Sequence, residues 1–415
     1  MSAPAICPQA PAQVLELDLD RPNGLRRPGA ADGSVDPDGP VLALVRRHGH
    51  PLGLVTATVT AGDLAGLRRA LTDAALGRLD LTAVPAPPPA PGPDPPFVSV
   101  IVCTRDRADM LGPCLDALLR TGYPNTEIIV VDNAPSTDAT ATLIRSHYRG
   151  RVRYLREPVA GLARARNSGL TAAHGEICAF TDDDAVVDED WVAALVEAFR
   201  ADQRIGCVTG LVLPAELDTE AQAMFERYGG FSRGFTARRW TLGERSKDPL
   251  FPFAVSRFGT GASMAFRTHV LRTIGGFDPA TGTGTPSRGG EDLLAFLSVL
   301  TGGHSVAYQP DAIIWHRHRR TMEALTAQVY GFGVGFGAYL TAAVTHRPAL
   351  LAALLRRVPR GVWQIVRRGR SGPAEERDST LARLGRQEFL GLLHGPFSYL
   401  VSVRRQHVVR AGVRP

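Results

Sequence analysis

Asp182, Asp183 and Asp184 stand in a row just after the apolar run Ile177-Cys178-Ala179-Phe180. Carboxylates bunched at a strand end repel one another, and at least one is partly desolvated there. A divalent cation would offset that cost. Hard oxygen ligands suit Mg²⁺ or Mn²⁺, ions commonly held by one or two carboxylates plus substrate phosphates. The bland alternative is a solvated acidic turn leading into the helix at Asp190-Trp191-Val192.

The elements around this run decide between the two readings. From Val98 onward, apolar strands alternate with amphipathic helices. Strands are expected at 98–103, 127–132, 152–155 and 176–181, and helices at 109–120, 137–147 and 162–173. Continuous apolar strands in such alternation argue for a parallel sheet covered on both faces. Ligands of such sheets bind at the carboxyl ends of the strands. Here those ends carry Thr104, Arg105 and Asp106, then Asp132 and Asn133, then Asp182 to Asp184. Asp132 can accept from a base ring N–H or a ribose hydroxyl, or serve the turn Asp-Asn-Ala-Pro-Ser-Thr-Asp. The second half is less regular. It reads as strands at 205–213, 261–266, 305–308 and 313–316, with a helix at 292–300.

Other segments bound the domain. Residues 1–40 are rich in Pro, Gly and Asp and read as a poorly ordered leader. Residues 41–84 read as a small ββα unit, with Asp63 as helix N-cap. The Pro-dense stretch 85–96 reads as a stiff linker. The sheet domain then spans 97–320, and 321–415 reads as a helical, basic extension.

The 415 residues are 44% hydrophobic and 21% charged, a globular composition. A net charge of +6 hides an asymmetry: Arg317 to Pro415 holds 17 Arg against 5 acidic residues, a net of +12. Such a tail can pack on the domain or meet an anionic membrane surface. The five cysteines include no CxxC pair, and Cys103 and Cys178 lie in expected strands, which suits a reducing compartment. No signal-peptide pattern opens the chain, and the apolar run 331–344 is short and Gly-rich for a membrane span. A cytoplasmic protein, in possible peripheral contact with the inner membrane face, is the expectation.

Neither GxGxxG nor GxxxxGK[ST] follows the first strand, which disfavours dehydrogenases and P-loop enzymes. Six stretches together resemble the inverting family 2 glycosyltransferases with the GT-A fold. They are Val98-Ser-Val-Ile-Val-Cys-Thr-Arg-Asp-Arg107, Ile128-Ile-Val-Val-Asp-Asn133, Gly161-Leu-Ala-Arg-Ala-Arg-Asn-Ser-Gly169, Phe180-Thr-Asp-Asp-Asp184, Gly290-Glu-Asp-Leu293 and Trp315-His316. They fall in the family's order over residues 96 to 320.

The resemblance implies an α/β fold and a role for each matched position. Thr104 and Arg105 would line the nucleotide pocket. Asp132, with Asn133 beside it, would contact the base, and Arg166 or Asn167 the ribose or diphosphate. Asp182 or Asp183 would touch ribose or phosphates, and Asp184, together with Asp182, would bind Mn²⁺ or Mg²⁺. His316 resembles an additional metal or diphosphate ligand; its alternative is a strand-end His beside Arg317, His318, Arg319 and Arg320. Asp292 would be the general base, and its alternative is helix capping after Gly289-Gly290. The implied reaction is a single in-line displacement moving a sugar from a nucleotide diphosphate-sugar, UDP-sugar by family default, to an acceptor hydroxyl. No nucleic-acid partner is expected. The Gly-rich loop 281–290 would act as a lid. The competing functions are a sugar-nucleotide-binding scaffold without turnover, and a nucleotidyltransferase on a similar sheet.

Overall fold

Two sheets carry the molecule, and a pair of glycine-lined helices closes one side of the larger. The computed structural model describes residues 8–21, 24–29, 35, 38–82, 84–86, 92, 94–244, 248–357 and 379–412.

The N-terminal unit comprises β1 (Gln13–Asp18), β2 (Leu25–Arg26), β3 (Gly39–Arg47), β4 (His50–Val59) and α1 (Leu64–Arg78), with strand order β2-β1-β3-β4. Asp63 caps α1, its carboxylate accepting from the Gly66 amide at 2.8 Å. The expected ββα unit is therefore larger. The segment read as a poorly ordered leader contributes β1 and β2. The reason is the short run Val14-Leu15-Glu16-Leu17, which pairs parallel with β3 and buries Leu15 and Leu17 completely. The other face of this sheet docks on the large domain through Val14, Leu42 and Leu44 against Leu213, Tyr308 and Trp315. Buried Arg46 reaches across the seam to Asp188 and, at 2.7 Å, lies against Glu16.

The large domain runs β5 (Val98–Thr104), α2 (Ala108–Leu119), β6 (Thr126–Asn133), α3 (Ala139–His147), β7 (Arg153–Glu157), α4 (Leu162–Ala172), β8 (Ile177–Asp182), β9 (Ala185–Val187), α5 (Trp191–Ala201), β10 (Ile205–Pro214), α6 (Glu220–Tyr228), β11 (Arg238–Trp240), β12 (Ser263–Arg267), α7 (Thr268–Thr273), α8 (Glu291–Thr301) and β13 (Ser305–His316). The strand order is β11-β13-β10-β12-β8-β5-β6-β7, with β9 on β13. The first four strands match the expected βα alternation and lie parallel. The wider sheet is mixed, because β12 is antiparallel to both β8 and β10. The two short strands expected at 305–308 and 313–316 form one strand, β13, whose register with β10 shifts at Ser305/Val306 and again at Gln309/Ile313.

Apolar cores cover both faces of this sheet. Trp191, Phe199, Val192 and Leu195 pack on one face. Phe180, Phe266, Phe277 and Phe296 interlock on the other, with Phe180 edge-on to both Phe266 and Phe277. Each such fully buried ring contributes about 1.5–3 kcal/mol.

The extension is α9 (Met322–His346), α10 (Leu350–Leu355) and α11 (Ser379–Gly412). Its glycines explain the run 331–344. Gly333 and Gly337 face Gly391 and Gly395, and a Cβ on Gly395 would lie 2.5 Å from the Gly337 Cα. The two helices thus meet backbone to backbone, a small-xxx-small seam without a membrane. Leu350 packs into the core, while Leu351 and Leu355 are exposed. Val358, Arg360, Arg367, Arg368 and Arg370 lie outside the described residues.

Candidate active site

β5, β6 and β8 end side by side: Thr104 is in register with Asp132, and Cys103 with Asp182. Asp182 terminates β8, and Asp183-Asp184 turn the chain into β9. That short strand hydrogen-bonds β13 with Ala185 opposite His316, and the Arg317 amide donates to the Asp184 carbonyl at 3.0 Å. The turn therefore places the end of β13 beside an acidic run that lies far earlier in the chain.

His316 Nε2 lies 3.2 Å from Asp184 Oδ1. Asp182, Asp184 and His316 each offer a ligand atom, and these atoms all lie within 4.8 Å of one another. Two carboxylates and an imidazole are a donor set that could hold a divalent metal ion. Burial works against the charge on Asp184, but His316 and Arg107 hold it well below the ordinary carboxyl range. Burial likewise disfavours the His316 cation, yet Asp184 raises it above the usual imidazole value. The middle aspartate takes a different part. Asp183 accepts from Thr104 Oγ1 at 2.7 Å and from Arg107 Nη1 at 2.6 Å, and burial pushes it up to about 7.

The pocket wall also departs from the expected roles. Thr104 is spent on Asp183. Arg105 points outward, 4.0 Å from Asp106. Arg107, two residues on, instead reaches inward and forks between Asp183 and Asp184. Asp132 is buried and accepts from Tyr154 Oη at 2.9 Å, and the Thr140 hydroxyl also bonds its carboxylate. Burial raises its pKa against those two contacts. A carboxylate at a strand end has lone pairs enough for a further ligand N–H or hydroxyl. Asn133 does not face the crevice: it accepts from the Gly161 amide at 2.9 Å and donates to the Val159 carbonyl at 2.8 Å, fastening the turn that starts α4.

Asn167 is likewise structural, clamping the Phe277 backbone through both its carbonyl and its amide. Arg166 is buried between the two acidic clusters. Its Nη1 donates to Glu291 Oε1 at 2.9 Å, and its Nη2 to the Gly261 carbonyl at 3.1 Å and Asp182 Oδ1 at 3.4 Å.

Asp292 lies in the first turn of α8, behind the left-handed Gly290. Its carboxylate accepts from the Gly261 and Leu293 amides, both at 2.8 Å. Glu291 and Asp292 differ sharply. Glu291 is 5% exposed and paired, and burial together with Asp292 pushes it up to about 7 against the pull of Arg166. Asp292 is half-buried and keeps lone pairs beyond those two amide contacts.

Arg107, Gly261 and the pair behind His316 were not legible as site residues. The His318 Nδ1 sits 3.4 Å from His316 Nδ1, and its Nε2 pairs with Glu226 Oε1 at 2.7 Å. The available signals were an Arg at the start of α2 and a His two residues past a candidate ligand. The loop 281–290 is no free flap. Thr281 and Ser287 are fully buried, and Ser287 Oγ bonds the Ala280 carbonyl and Ser402 Oγ.

Residues 99–275 match the family model of Glycosyl transferase family 2. Over that segment the chain is similar to the family 2 glycosyltransferases. Among similar proteins, glycosyltransferase GlyA of Streptococcus pneumoniae is 33% identical over 114 residues, 26% of this chain and 16% of that protein. The pre-mycofactocin glycosyltransferase of Mycobacterium tuberculosis is 26% identical over 251 residues, 60% of this chain and 48% of the relative. The glucosyl-dolichyl phosphate glucuronosyltransferase of Haloferax volcanii is 25% identical over 192 residues, 45% and 57% respectively. The chain thus spans from about a sixth to somewhat over half of the length of these relatives. A mannosyltransferase structure from Pyrobaculum calidifontis aligns with 75% of this chain and 87% of its own at 21% identity and a TM-score of 0.45. The matched segment takes in β5 through α7, so α8, which carries Glu291-Asp292, lies beyond it.

Proposed function

We propose that this protein is a metal-dependent inverting glycosyltransferase that moves a sugar from a nucleotide diphosphate-sugar to an acceptor hydroxyl. The observation that carries the reading is the pairing of two acidic centres across Arg166. On one side stand Asp182, Asp184 and His316, and on the other Asp292, oriented by the Gly261 amide.

The division of labour follows from chemistry. Asp182, Asp184 and His316 would hold Mn²⁺ or Mg²⁺, which when bound neutralises charge building on the departing diphosphate. Asp132, at the strand end beside Thr104, receives the nucleoside; a UDP-sugar is the leading donor class, with GDP- and dTDP-sugars compatible. Asp292 takes the acceptor hydroxyl proton as the new C–O bond forms at the anomeric carbon and the bond to the phosphate oxygen breaks, inverting that centre. Arg166 holds the two centres at a fixed separation. Arg107 holds the turn that presents Asp184.

Calorimetry with UDP, GDP and dTDP, in Mn²⁺ and in EDTA, tests the reading. At least one nucleotide is expected to bind in Mn²⁺ and to lose most of its affinity in EDTA, and Asp184→Asn should bind poorly in both. Equal affinity with and without metal, for every nucleotide that binds, would defeat it.

A further inference from the structure

Helix α11 buries one face on α9 and leaves the other uncovered among the described residues. The uncovered face is strongly apolar. Phe389 is 46% exposed, Leu390 44%, Leu393 62%, Phe397 64% and Leu400 56%. Large apolar side chains grouped in one patch call for a partner in a way that scattered ones do not. Arg386, Leu390, Leu393, Phe397, Leu400 and Arg404 follow at steps of four, three, four, three and four, which on a helix is a single line. The stripe is thus apolar at its centre and cationic at both ends, and Arg383 and Arg405 are exposed next to those ends. The one acidic residue in α11, Glu388, is taken up by Tyr228. Beside the stripe runs a groove of about 460 Å³ whose lining includes Arg288, His394, Phe397 and Arg405.

The charge pattern chooses the occupant. A second copy packed on this stripe, in either direction, would set Arg ends against Arg ends in a self-complementary interface. An anionic lipid surface would accept the apolar centre between its acyl chains and pair the terminal guanidiniums with phosphates. No helix among the described residues is long and apolar enough to cross a membrane.

We propose that this face of α11 docks in the plane of an anionic phospholipid bilayer. The proposal stands on exposure and charge, and not on the sugar-transfer chemistry, so the two readings fail independently.

Cosedimentation of the full chain with vesicles of phosphatidylcholine, alone and mixed with phosphatidylglycerol, is the experiment. Binding to the mixed vesicles, weakened by salt, is expected, with little binding to phosphatidylcholine alone. Leu393→Gln combined with Phe397→Gln should weaken it about tenfold or more, as should Arg404→Glu combined with Arg405→Glu. Circular dichroism and thermal melts confirm that the variants remain folded. Three results would overturn the proposal: no binding to mixed vesicles at low salt, equal and salt-insensitive binding to both vesicle types, or a dimer in light scattering that Leu393→Gln with Phe397→Gln dissociates.

Discussion

Arg166 Nη1 lies 2.9 Å from Glu291 Oε1, with both side chains buried, and this contact ties α4 to the first turn of α8. Removing Arg166 leaves the buried Glu291, the Gly261 carbonyl and Asp182 without their shared donor, at a cost of about 3–5 kcal/mol. Arg166→Met should lower stability by an amount in that range, read from urea midpoints. Arg166→Lys should recover little, since an ammonium cannot serve Glu291, Gly261 and Asp182 together. A variant as stable as the parent would show the pair to be energetically idle.

Glu291 also sets a pH dependence. Folded, it keeps its proton up to about 7, against an ordinary value of 4.5 in the open chain. Between those values the unfolded state binds fewer protons than the native state, so stability falls as pH rises. The penalty is absent below 4.5 and complete above 7. Glu291→Gln should flatten this part of the stability profile between pH 4.5 and 7. Denaturation at a series of pH values, parent against variant, decides; parallel profiles would exclude Glu291 as the source.

Asp292 should matter to turnover and little to donor binding. General base catalysis contributes about 10² or more, so Asp292→Asn is expected to lower kcat by that factor while the donor Kd measured by calorimetry stays near the parent value. Undiminished turnover would leave Asp292 a helix-start residue held by Gly261.

The helix seam offers a test with its own control. An added methyl on Gly395 would sit 2.5 Å from the Gly337 Cα, with backbone on both sides and no flexible side chain to yield. Overpacking costs about 1–3 kcal/mol and the gain in helix propensity returns at most about 1, so Gly395→Ala should destabilise. Gly385 lies in the same helix, and a methyl added there would meet nothing within 4 Å, so Gly385→Ala should be neutral or stabilising. If both changes act alike in thermal melts, the seam is not under steric control.

The sheet was legible because period-two and period-3.6 patterns are local; β5 to β8 and their helices lie within a few residues of expectation. The acidic run was legible for the same reason, as a run of three at a strand end. What no local pattern encodes is pairing over long separations. The grouping of Asp182 and Asp184 with His316 came from the family resemblance alone, and in the structure it follows from β9 pairing with β13. The turning of Asp183 to Thr104 and Arg107 had no sequence signal. Asn133 and Asn167 have the right residue types for ligand contact, but their amides are spent on backbone at Gly161 and Phe277. Polar composition does not distinguish a side chain facing a crevice from one fastening a turn. The leader was misjudged because Pro and Gly dominate its composition while four residues, Val14 to Leu17, decide its structure.

Gly335 connects the far end of the molecule to its chemistry. A methyl there would lie 2.9 Å from the Gly289 Cα, and one on Gly290 would lie 2.5 Å from the Gly335 carbonyl. The same helix, α9, grips α11 through Gly333 and Gly337. Close backbone contacts thus run unbroken from α11 through α9 to the two residues preceding Glu291-Asp292. Any substitution that widens either contact reaches the start of α8 without a flexible side chain to absorb it.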